Sequence, residues 1–341
     1  MSYSSHMSRH HRWQWGLVVA VAASTLAALT VGGVWVPPAE LPGRLWHAVA
    51  GGGLGDPIDR ILISVRLPRV LLALLAGGAM GIAGLASQTL FRNPLASPYV
   101  TGVANGAAVG AVTGLLLGGR WIGFAAVPFL SMACGLGTAA LVYGLARRDG
   151  RFGQAILLAG IAISAFGSAL TAGALYVAGE RLQSLVFWLM GGLWPATWRD
   201  VWVLLPVTGA GYVALMRWAP AMNVLLAGER SARDLGVNVV RLHVGLLLTV
   251  AVLTAAVVSL TGVIGFIGLI VPHLLRLAFG GDHRCLLPAC ALGGAFLLVT
   301  ADTLARTVAA PAEVPVGILT ALLGAPVFLW MLRRRQNGGG G

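Results

Sequence analysis

Residues 68–91 read PRVLLALLAGGAMGIAGLASQTLF, and this stretch decides the class of the fold. After Arg69 it carries no ionisable side chain as far as Phe91. A helix rises about 1.5 Å per residue and the hydrocarbon core of a bilayer is about 30 Å thick, so a run of this length spans it. It lacks the apolar–polar alternation of a strand in an outer-membrane barrel. Gly77 and Gly81 stand four apart within it, a spacing that lets helix backbones pack closely where lipid supplies no hydrophobic drive.

The same pattern recurs along the chain. Of 341 residues, 57% are hydrophobic and 10% charged, and the mean hydropathy is +0.85. A soluble domain carries roughly a quarter charged residues. This composition excludes a soluble enzyme, a disordered chain and a protein with a single anchor. Apolar blocks predict spans at about 16–36, 68–91, 97–118, 122–146, 153–178, 195–217, 241–261, 263–280, 286–305 and 315–332. The first is too long for a signal-peptide core and has no clear cleavage site after it. The expected fold is an all-α polytopic membrane protein with ten transmembrane helices. One permease-like domain is expected at 16–332, with a cytoplasmic loop at 219–240 and tails at 1–15 and 333–341; Gly338–Gly341 ends the chain as a flexible tail.

The charge is +12, which in a soluble domain would suggest nucleic acid. Here the basic residues lie between apolar blocks, which points to membrane topology and to no nucleic-acid partner. Arg9, Arg12, Arg92, Arg147, Arg148, Arg151, Arg217, Arg230, Arg233, Arg241, Arg276, Arg284 and Arg333 to Arg335 fall on one side of the ten spans. Arg44, Arg60, Arg66, Arg69, Arg120, Arg181, Arg199 and Arg306 fall on the other. The positive-inside rule makes the first side cytoplasmic, with both termini there. Every basic residue is arginine, and a Walker A loop requires lysine, so the chain does not bind ATP by that route. Cys134, Cys285 and Cys290 show no CxxC spacing and read as small buried hydrophobes.

Four segments are too polar or too rich in proline for lipid-facing helix. Arg66-Leu67-Pro68-Arg69 opens the second span, and Pro68 suits a helix start, where its missing N–H would have had no partner. The arginines fit two readings: heads snorkelling into the interface, or a basic surface for an acidic partner. In residues 88–98, QTLFRNPLASP, two prolines four apart force a turn at the cytoplasmic face. It is either a plain connection or a turn pressed against a pathway or a neighbouring subunit. Residues 220–237 form the longest cytoplasmic connection, in which Glu229 to Leu235 make a short amphipathic helix bounded by Gly228 and Gly236. It is either a solvated helix with no partner or a docking element; loops this long are usually functional or disordered, and the apolar residues here argue against disorder and suggest docking on another protein. The fourth segment runs from Gly262 to Arg276 and resumes at 313–326. His273 and Arg276 share a helical face and read as a structural pair with no metal, while Asp302 and Arg306 are spaced to pair with one another.

Together RLPR at 66–69, QTLFRNPLASP at 88–98, GERSARDLGV at 228–237, GFIGLIVPHLLRL at 265–277, DHRCLLP at 282–288, ADTLAR at 301–306 and EVPVGILTALLGAPVF at 313–328 resemble the FecCD family. These are the membrane-spanning permeases of ABC importers for iron–siderophore complexes, haem and cobalamin. The resemblance implies type II importer architecture and a homodimer with the translocation path on its two-fold axis. It also implies two ATPase subunits on the cytoplasmic face, which hold ATP and Mg, and a periplasmic binding protein that delivers substrate. This chain would then hold no cofactor, metal or catalytic residue. ATPase coupling is carried over to Gly228, Glu229, Arg230, Ser231, Ala232, Arg233, Leu235 and Gly236, and binding-protein docking to Arg66, Arg69 and Arg306. The cytoplasmic gate is carried over to Asn93 and Leu95, with a second layer at Gly153 and Gln154; the small hydroxyl residues of the cobalamin permease are not matched there. The implied cargo is an iron chelate, either ferric siderophore or haem, with cobalamin as the alternative, and the implied location is the bacterial inner membrane.

Two other classes find little support. A membrane protease would show GxSxG, HExxH or an intramembrane Asp pair, and none occurs. An ion-coupled secondary transporter needs ionisable groups near the bilayer midplane, whereas the acidic residues here fall in loops or near span ends.

Overall fold

A computed structural model describes residues 3–49, 56–121, 126–146 and 152–338, and every regular element among them is helical. The order is α1 (Tyr3–Thr30), α2 (Leu41–Val49), α3 (Pro57–Ile61), a π-helical turn at Leu62–Arg66 and α4 (Leu67–Leu90). Then come a 3₁₀ turn at Pro98–Thr101, α5 (Val103–Trp121), α6 (Ala126–Ala146), α7 (Phe152–Tyr176), a second 3₁₀ turn at Gly179–Arg181 and α8 (Leu182–Leu189). The chain closes with α9 (Trp198–Leu226), α10 (Glu229–Asp234), α11 (Val239–Thr261), α12 (Ile267–Phe279), α13 (His283–Ala305) and α14 (Val316–Gly338). Seven stretches are long and apolar enough to cross a bilayer, and shorter apolar helices at 103–117, 267–279 and 316–330 complete the ten expected positions.

Several boundaries differ from the sequence reading. The first helix begins at Tyr3, ahead of the apolar span that starts at Arg12, and it stops at Thr30 because Gly32, Gly33, Pro37 and Pro38 follow. The expected loop at 219–240 shrinks to residues 227–238, since α9 runs through Pro220 to Leu226. A membrane helix absorbs an internal proline when neighbouring groups satisfy the freed carbonyl. The eighth span starts at Ile267, after the left-handed Phe266. Arg147, Arg148 and Arg151 lie outside the described residues.

The hub of the bundle is α4, which packs against α9, α11, α12 and α13. Its middle, from Ala76 to Leu90, is buried throughout. The glycine spacing read from the sequence lies on its contact with α13: a methyl group on Gly81 would overlap the Cys290 carbonyl, and one on Gly77 the Gly294 carbonyl. The two backbones therefore touch. Gly81→Val is expected to lower the melting temperature of the purified chain in detergent by several degrees, since overpacking costs about 1–3 kcal/mol. An unchanged melting temperature would contradict this packing. In contrast, α7 leaves Leu158, Ile161, Phe166 and Leu170 exposed.

Candidate functional site

The functional residues expected from sequence gather at the two ends of this bundle. At one end, α10 rests against α9 and α11 through Ala232, the one buried residue of the helix, and exposes most of its other side chains. Its limits are set by two glycines with positive φ. Gly228 precedes it at φ 115, and Gly236 follows at φ 80. The Gly236 N–H donates to the Arg233 carbonyl and the Val237 N–H to the Ala232 carbonyl, both at 2.9 Å. This paired pattern is a Schellman stop, which favours glycine in the left-handed position. Arg230, Arg233 and Gly236 are exposed, Glu229 and Ser231 half-buried, and Leu235 is 72% exposed. An apolar side chain held out on a fixed short helix is a ready contact for a partner.

The turn at 91–97 lies beside α10. Arg92 Nη2 stands 3.4 Å from Glu229 Oε1, and Glu229 also meets Arg233 at 3.3 Å. Arg92 adopts φ 48, which is uncommon outside glycine. Asn93 shapes the turn: its side-chain oxygen accepts from the Leu95 N–H at 3.0 Å, and its own N–H donates to the Gln88 carbonyl at 3.0 Å. Asn93 is exposed and Leu95 half-buried. Gly153 and Gln154 occupy the first turn of α7, where Gln154 is exposed. Since α7 follows α6 back from the far end, that turn belongs to the α10 end of the bundle.

The arginines expected to receive the binding protein lie at the opposite end, where each is buried within the chain. Arg66, Arg69 and Arg306 are 5%, 6% and 8% exposed. Arg69 binds Asp302 through both Nε and Nη2, at 2.9–3.1 Å, and reaches Glu313 through Nη1 at 2.9 Å. Asp302 was expected to pair with Arg306, but that contact is the longer one, at 3.8 Å. Arg66 donates to the Leu29 and Val34 carbonyls at 2.7 Å, and Arg306 to the Ala28 carbonyl at 2.6 Å. The last carbonyls of a helix have no partners within it, so these two guanidiniums finish α1 from outside. Arg66 is the last residue of the π-helical turn at Leu62–Arg66. Trp198 Nε1 donates to the Ile63 carbonyl within that turn at 3.0 Å.

One group at the α10 end has members in the 88–98 and 282–288 motifs and in the 220–237 connection, and none of them was given a role. It joins Thr89, Asn223, Asp282 and His283 across three helices. Each is a polar residue at a helix end, and that is the sole sequence signal for it. Among the described residues no group of His, Cys, Asp and Glu has a metal-binding arrangement.

The first and last described residues, Tyr3 and Gly338, lie at the α10 end, because α14 starts beside the Arg69–Glu313 pair and runs away from it, while α1 ends at the arginine cluster. The model of the FecCD transport family matches residues 19–334. The chain is 41% identical over 331 residues to a cobalamin import system permease protein, BtuC, of Halobacterium salinarum, covering 93% of this chain and 89% of that one. It is 41% identical over 302 residues to a hemin transport system permease protein, HmuU, of Yersinia pestis, covering 86% and 88%. A solved structure described as an inward-facing metal-chelate type ABC transporter superposes with TM-score 0.84 at 30% identity, covering 95% of this chain and 99% of that one. This helical bundle, with ten apolar helices among its described residues, a short glycine-bounded helix at one end and motifs matched along nearly its whole length, belongs to the FecCD transport family of ABC importer permeases.

Proposed function

We propose that this permease carries an iron chelate, ferric siderophore or haem, across the bacterial inner membrane, with cobalamin as the alternative cargo. Two copies form the path, two ATPase subunits dock on α10, and a periplasmic binding protein docks at the arginine end. The observation that carries the reading is α10 itself. It is held at both ends by glycine geometry and turns Leu235 outward. Both termini then face the cytoplasm, the side the arginine distribution favours. Asn93 and Leu95 form the gate, with Gly153 and Gln154 as its second layer. For the docking end, Arg66, Arg69 and Arg306 act by fixing the shape of the outer mouth, and Glu313, with its side chain 41% exposed, is the charge of that cluster a partner meets.

The cargo is tested by purifying the chain with its ATPase and binding protein and identifying what the binding protein retains. Retention of haem or a ferric siderophore supports the first reading, and retention of a corrinoid the alternative. A second measurement concerns energy. The isolated chain is expected to hydrolyse no ATP, since it has no lysine for a phosphate loop. In liposomes, uptake should require the ATPase; uptake without it would favour an ion-coupled carrier instead.

A further inference from the structure

At the α10 end, four polar side chains form an unbroken line from α9 to α4. Asp282 caps α13 by accepting from the Arg284 N–H at 2.9 Å. Asn223, in the last turn of α9, donates its amide N–H to Asp282 Oδ1 at 2.7 Å. Its own oxygen accepts twice from His283, from the backbone N–H at 2.9 Å and from ring Nδ1 at 2.6 Å. A ring that donates from Nδ1 keeps a lone pair on Nε2. Thr89 Oγ1 lies 2.7 Å from that nitrogen and 3.0 Å from the Leu85 carbonyl, so its one proton is shared between two acceptors. His283 and Thr89 are fully buried.

What the line connects gives it a purpose. Only Ala227 and Gly228 separate α9 from α10, so a push on α10 arrives at the foot of α9 where Asn223 sits. Thr89 closes α4 immediately before the turn that holds Asn93 and Leu95. In addition α4 and α13 are in backbone contact along Gly77, Gly81, Cys290 and Gly294, so they move as one body. Arg92 and Glu229 add an exposed pair beside the line, and such pairs contribute little alone. An apolar contact between helix feet permits sliding. The Asn223–His283–Thr89 part of the line resists it, because a slip would leave the buried His283 ring and Thr89 hydroxyl short of a partner, while the Asp282 link lies at the surface.

We propose that the Asp282–Asn223–His283–Thr89 line transmits displacement of α10 to α4 and the gate turn, with Asn223, His283 and Thr89 as positioning residues for transport. This rests on the reading of α10 as the ATPase-coupling helix. The test uses the complete importer in liposomes and measures ATP hydrolysis and uptake together. Thr89→Val keeps the volume and removes the hydroxyl; Thr89→Ser keeps the hydroxyl and loses a methyl. Thr89→Val and Asn223→Leu are expected to hydrolyse ATP within about twofold of the unaltered complex, while uptake per ATP falls about tenfold. Thr89→Ser is expected to keep the unaltered ratio. The double variant Thr89→Val with Asn223→Leu should lose no more than either single change, because members of one network are not additive.

An unchanged ratio in both single variants overturns the proposal. So does a loss in Thr89→Ser as large as in Thr89→Val, which would show that volume matters and the hydrogen bond does not. Failure of Thr89→Val to assemble also overturns it, assigning the line to folding. If the unaltered chain forms no ATP-driven importer, the permease reading falls first and this proposal with it, a result visible before any variant is made.

Discussion

Arg69→Ala is expected to destabilise the chain more than any other single truncation at the arginine end, by about 3–5 kcal/mol. The guanidinium holds Asp302 through two of its nitrogens and Glu313 through a third. Removing it leaves the Asp302 carboxylate, 2% exposed, beside a cavity and with only the distant Arg306 for a partner. Deleting one partner of a buried pair costs more than the pair contributes, because the remaining charge stays desolvated. Arg69→Ala with Asp302→Ala should therefore recover a large part of the loss. The measurement is thermal unfolding in detergent of the two single variants and the double. If the double variant is as unstable as the sum of the singles, the pair is not the unit it is taken to be. Arg69→Glu should be worse than Arg69→Ala, since it sets a third carboxylate against two. Loss of binding-protein affinity in such a variant would report folding, so docking is better probed at Glu313.

Leu235→Asp is expected to abolish ATP-driven uptake by preventing ATPase assembly. Leu235 is 72% exposed, on the turn closed by Gly236, and makes a natural anchor for an apolar cleft. Loss of a buried interface anchor weakens binding by 2 kcal/mol or more, roughly thirtyfold, and a carboxylate in its place adds desolvation. Leu235→Met should assemble and transport. Ser231→Cys, on the preceding turn, should cross-link to the ATPase in the complete complex. Gly228→Trp is a less clean probe: φ 115 strains any side chain there, so uptake would also fall through a shifted helix start. If Leu235→Asp assembles with the ATPase and transports normally, α10 is not the docking element.

The ten spans were legible because each is an apolar run closed by glycine, proline or arginine, and these rules act locally. Helix α10 was legible for the same reason. Gly228 and Gly236 mark its ends, and the observed Glu229–Asp234 falls one residue short of the expected stop at Leu235. What stayed hidden depends on partners far away in the chain. Nothing near Arg69 shows that it faces Asp302 and Glu313, which lie 233 and 244 residues later. Snorkelling and surface docking were both reasonable for it, and burial in an internal cluster was not among the readings. The π-helical turn at Leu62–Arg66 has no composition signal, since its carbonyl partner, Trp198, belongs to another helix. His283 was quoted within DHRCLLP and given no role, because its ring nitrogens acquire meaning only once α9 and α4 are brought beside it.

The end of α1 has a consequence for biosynthesis. Arg66 reaches the Leu29 carbonyl from 37 residues away, and Arg306 reaches Ala28 from 278 away. The first contact is possible soon after the second span leaves the ribosome. The second waits until nearly the whole polypeptide has been made. During that interval the N-terminal helix is tethered at its far end by one guanidinium and can still rotate against its neighbours. Its final seating is therefore among the last events of assembly, and a chain released before residue 306 has been synthesised leaves that helix unlocked and open to quality control.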